Sequence, residues 1–122
     1  MKIPLPPRLT FEYGWNERDD EETLLKGCRS DGIVTLSNGQ KYAVYFTDPI
    51  RLQQDLEEEV ELGDAFFAPP GLIVIPELTR TAMENAVWKL WQQGYFDKLQ
   101  PLPPDNLMRG TLKKFFKSTL SR

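Results

Sequence analysis

Apolar residues recur along this chain in two periods, and their order predicts an α+β domain. Leu9, Phe11, Tyr13 and Trp15 alternate with Thr10, Glu12 and Gly14, the period of a half-buried strand over 9–15. Asn38–Gly39 joins GIVTLS to QKYAVYF and is a strong hairpin signal, read as a type I′ turn. Its two-residue loop sets Leu36 opposite Lys41, Thr35 opposite Tyr42, Val34 opposite Ala43 and Ile33 opposite Val44. Strands over 32–37 and 40–46 follow, with Thr35 and Tyr42 on the less covered face. Leu72–Ile75, fenced by Pro70–Gly71 and Pro76, reads as a short strand buried on both faces.

Helical spacing fills the gaps. Asp19 or Asp20 caps a short helix containing Leu24 and Leu25 and stopped by Gly27. Asp48–Pro49 opens a helix over 49–60 with an apolar stripe of Ile50, Leu52, Gln53, Leu56 and Val60. Thr79 and Thr81 both suit the N-cap of a helix over 80–93, Thr81 with Glu84 at capping-box spacing. There Met83, Ala86, Val87, Leu90 and Trp91 share one face, Trp88 lies on its flank, and Gly94 ends the run. A last helix over 106–119 carries Met108, Leu112, Phe115, Phe116 and Leu120 on one side.

The fold expected is a small, mostly antiparallel sheet of about four strands with one Asn-Gly hairpin, packed by two to three helices. The connection from Thr47 to Gly71 is long enough for a crossover between parallel strands. Residues 1–100 form the domain, 101–104 a Pro-rich linker, and 105–122 a basic amphipathic helix.

Composition narrows the function by exclusion. A chain of 122 residues fits one domain and can bury a core without staples. No apolar run approaches the roughly 20 residues of a membrane helix. MKIPLPPRL lacks the apolar stretch of a secretory leader, and the single Cys28 excludes an internal disulfide framework, so a cytoplasmic protein is expected. The chain has no histidine, which removes Ser–His–Asp and Cys–His catalysis and the commonest metal ligand. Neither a phosphate-binding nor a dinucleotide-binding glycine motif is present. The acidic run NERDDEE does not match the calcium loop and reads as a solvated helix start. Cys28 reads as structural, since only Lys26 and Arg29 are near enough in sequence to activate it. No catalytic residue, cofactor or metal ligand is assigned, and the chain is not expected to be an enzyme. Carboxylate chemistry would require two of Asp31, Asp64, Glu77 and Glu84 to meet in one pocket.

The net charge of −3 conceals two halves. Arg109, Lys113, Lys114, Lys117 and Arg122 against Asp105 give residues 105–122 a balance of +4, which leaves −7 for the first 104. The function expected is a non-catalytic protein-interaction or regulatory module. Its contacts would come from Phe66, Phe67, Trp88, Tyr95 and Phe96, toward another protein or a second copy in a homo-oligomer. The alternative is association with nucleic acid or another anionic surface through Lys113, Lys114 and Lys117. Three sites compete for the basic helix: its own domain, a second copy, or an outside anionic surface. The acidic segment 55–64 supplies an internal electrostatic partner.

Overall fold

A computed structural model of the chain describes residues 5–103. Four strands form one mixed sheet in the order β1-β2-β3-β4. These are β1 (Arg8–Phe11), β2 (Cys28–Thr35), β3 (Lys41–Thr47) and β4 (Leu72–Val74). The first two pairings are antiparallel, and β3 pairs with β4 in parallel across the helix between them. Helices α1 (Glu17–Lys26), α2 (Pro49–Glu61) and α3 (Arg80–Gln92) complete the expected α+β architecture. The basic segment 105–122, with the helix expected over 106–119, lies outside the described residues.

The main core forms on one face of the sheet. Leu9, Phe11, Val34, Tyr42, Val44, Phe46 and Ile73 meet Leu78, Met83, Val87 and Phe96 there. Leu78, Met83, Val34, Val44 and Phe46 are essentially inaccessible, so dispersion and loss of hydration act together on this layer. The opposite face is smaller. Ile33, Ala43 and Tyr45 carry Cys28, Phe67, Leu72 and Leu102.

Three expectations change. The strand over 9–15 ends at Phe11, because the Phe11 carbonyl accepts the Gly14 N–H at 2.9 Å and Gly14 turns the chain at φ +79°. Tyr13 is left exposed. The first helix begins earlier than Asp19: Asn16 is its N-cap, and Asp19 closes the capping box by accepting the Asn16 N–H at 2.7 Å. The strand at Leu72 is an edge strand rather than one buried on both faces, and Val74 is 46% exposed.

The hairpin register also differs by one residue. A type I′ turn needs positive φ at both central residues, and among the described residues only glycines have it. Gly39 alone takes φ +88° in this turn, the Gly39 N–H donates to the Leu36 carbonyl, and Leu36 N–H donates to Gln40. The loop is therefore Ser37–Gly39, and Thr35 opposes Lys41 while Val34 opposes Tyr42. Opposed residues share a face. The slip therefore moves Tyr42 into the main core, 5.5 Å from Phe96. A further irregularity between Arg29 and Gly32 inserts one residue into β2, which re-aims the side chains around it.

Candidate interaction surface

The five aromatic candidates do not form one patch. Phe96 is 2% exposed and belongs to the core, so it presents no surface. Tyr95 is half-buried against it, edge to face at 5.3 Å. Trp88 stands on α3, 41% exposed, with its ring 5.3 Å from Trp91. Phe67 packs on the opposite face of the sheet, edge-on to Tyr45 at 6.0 Å. Only Phe66 is largely free, at 63% exposure. Adjacent phenylalanines thus divide into one plug and one exposed ring.

Trp88 borders a groove of about 600 Å³ between β1 and α3. Arg80 crosses it, donating to the Leu9 carbonyl at 2.8 Å and pairing with Glu84 at 3.1 Å. Arg80 also stacks on Phe11 and Trp15, so its charge is already engaged. A second cleft of about 280 Å³ is lined by α1 and the start of β2. Its Arg29 binds Asp31 and Asp19 and stacks on Phe11 at 4.6 Å. Of the carboxylates considered for catalysis, Asp31 is committed to Arg29 and Glu84 to Arg80.

The unusual surface is on α2. Asp48 caps the helix by accepting the Arg51 N–H at 2.7 Å, and Pro49 occupies its first turn, as the sequence predicts. Its predicted apolar stripe is divided: Leu52 is half-buried, but the rest of the stripe does not face the domain. At about 100° per residue Arg51, Asp55 and Glu59 lie on one side, and Leu56, Val60 and Ile50 lie away from it. The polar side faces inward: Glu59 is 6% exposed and the Asp55 side chain 12%. The apolar side faces outward, with Ile50 at 72% and Val60 at 56%. Leu56, Leu62 and Phe66 are exposed as well, while Glu57, Glu58 and Glu61 surround this face with negative charge. The polar residues make a specific junction. Arg51 pairs with Asp55 at 3.0 Å and reaches the Lys26 carbonyl at the end of α1. Sequence periodicity finds the stripe but carries no sign for which side faces the sheet.

Beneath α2, burial raises the Cys28 thiol above its usual range, with Arg51 opposing and Asp55 reinforcing the shift. Burial likewise pushes Tyr45 up to about 12. Both groups are held neutral near pH 7, which disfavours thiolate nucleophilicity and phenol proton transfer there. Among the described residues no cluster of three potential ligands could hold a metal ion, and no helix is long and apolar enough to cross a membrane. Lys113, Lys114 and Lys117 lie outside the described residues. Comparison of the chain with protein-family models, with curated proteins and with solved structures finds no match.

Proposed function

We propose that this chain is a non-catalytic protein-interaction module whose working surface is the outer face of α2. The observation that carries the reading is the outward-facing apolar side of that helix. Single exposed leucines are ordinary. Here Ile50, Leu56 and Val60 are exposed on α2, with Leu62 and Phe66 exposed just after it, and a concentration of exposed apolar residues favours a surface that binds another molecule. The acidic rim favours a partner that presents apolar residues flanked by lysine or arginine.

The test places a photo-crosslinking residue at Ile50 in the full chain, expressed in cells, with Ser37 in the exposed hairpin loop as the control position. Crosslinks from position 50 well above those from position 37, and lost on adding Val60→Gln, support the reading. Equal yields from the two positions overturn it.

A further inference from the structure

The end of the described chain bears on what covers α2. The Leu102 N–H donates to the Lys41 carbonyl at 2.7 Å, and the Leu102 side chain packs with Ile33, Ala43 and Tyr45. That is the face of the sheet on which Arg51 and Asp55 of α2 act on Cys28 and Tyr45. The chain therefore leaves the domain on α2's side, with residues 104–122 still to follow.

We propose that residues 105–122 of the same chain lie on the outer face of α2, apolar side against apolar side. This rests on the reading of that face as a working surface and identifies its resting occupant. Three properties match. The segment carries +4, while the exposed Glu57, Glu58 and Glu61 make the outer side of α2 acidic and residues 55–64 hold no basic residue. Its Met108, Leu112, Phe115, Phe116 and Leu120 recur at helical spacing and need an apolar surface. Its reach is ample, since an extended chain spans about 3.3 Å per residue, against a domain radius of gyration of about 13 Å. A tether this short holds the segment at an effective concentration of about a millimolar, which favours its own domain over a second copy in dilute solution. An outside partner of α2 would have to displace it, so its chemistry should resemble this segment: a basic amphipathic helix.

The test attaches a nitroxide at Ser118→Cys in a Cys28→Ser background of the full chain and reads amide signal loss by NMR. The proposal expects Ile50, Leu56 and Val60 to lose most of their intensity, independently of protein concentration. Lys113→Glu/Lys114→Glu/Lys117→Glu should restore those signals, and raised salt should restore them in part. Loss confined to α3 around Trp88, or no loss in the folded domain, overturns the proposal. Loss that appears only in mixtures of labelled and unlabelled chains and grows with concentration also overturns it; a second copy is then the occupant, and the interaction reading survives. Crosslinking from position 50 at the control level would instead defeat the underlying reading.

Discussion

Gly27 and Asp48 join the end of α1 to the start of α2. The Asp48 N–H donates to the Gly27 carbonyl at 2.8 Å, and a Cβ on Gly27 would lie 2.6 Å from an Asp48 carboxylate oxygen. Gly27 also takes φ +72°, where side chains are strained. Gly27→Ala should therefore destabilise the domain by about 2–3 kcal/mol, more than the left-handed strain of about 1–2 kcal/mol alone. Gly14→Ala is the comparison, since Gly14 has φ +79° but nothing within 4 Å of a Cβ. Urea midpoints of the two variants check the difference; equal shifts would mean that the Asp48 contact relaxes freely.

Asp48 has a second role as the N-cap of α2. Asp48→Ala should cost about 1 kcal/mol. Hydrogen exchange should speed up most in the first turn of α2 and leave α3 unchanged.

Arg29 ties three elements together. It pairs with Asp19 on α1 and Asp31 on β2, donates to the Gly14 carbonyl at 2.8 Å, and stacks on Phe11 and Trp15. Removing it leaves the Asp31 carboxylate buried at 7% side-chain exposure. Arg29→Ala should cost about 3–5 kcal/mol. Arg29→Lys should recover only part, because an ammonium cannot serve both carboxylates and the stacked rings with one planar fork. Full recovery by lysine would show that charge alone matters.

Alkaline pH tests the face beneath α2. Folding raises Tyr45 from 10 to about 12, chiefly by burial. The folded state holds the proton that the unfolded chain gives up, so this stability is complete below pH 10 and is lost as pH rises through about 12. Cys28 shifts in the same direction and starts lower, from 9. The natural chain should therefore lose stability relative to Tyr45→Phe as pH rises above 10. A difference that stays constant to pH 12 would contradict the shift.

In a chain whose basic segment is released by Lys113→Glu/Lys114→Glu/Lys117→Glu, Ile50→Gln with Val60→Gln should change the stability of the domain by no more than about 0.5 kcal/mol, since both side chains then face water. Denaturant unfolding measures this directly. A loss of several kcal/mol would show that these residues are core.

Much of the fold was legible in local chemistry. Asp48–Pro49, Gly27 and Gly94 mark helix boundaries through capping and left-handed conformations that depend only on neighbouring residues. The hairpin was legible too, but its register was not. Asn38 can take either sign of φ, and the three-residue loop was selected by a sheet that buries Tyr42 against Phe96. Of the aromatic set, periodicity could not separate Phe66 from Phe67, or exposed Trp88 from buried Phe96, because each choice depends on what packs opposite.

The amino-acid sequence by itself determined the order of the strands and helices from β1 to α3, the Asp48–Pro49 start of α2, the glycines that stop α1 and α3, and the absence of histidine chemistry. Those features are set by single residues and their immediate neighbours. Only the tertiary structure decided which side of α2 meets the sheet. An amphipathic period fixes the angle between two faces of a helix and not which of them turns inward. Here Arg51 is held by Asp55 and by the end of α1, and that junction turns the polar side in and the apolar side out.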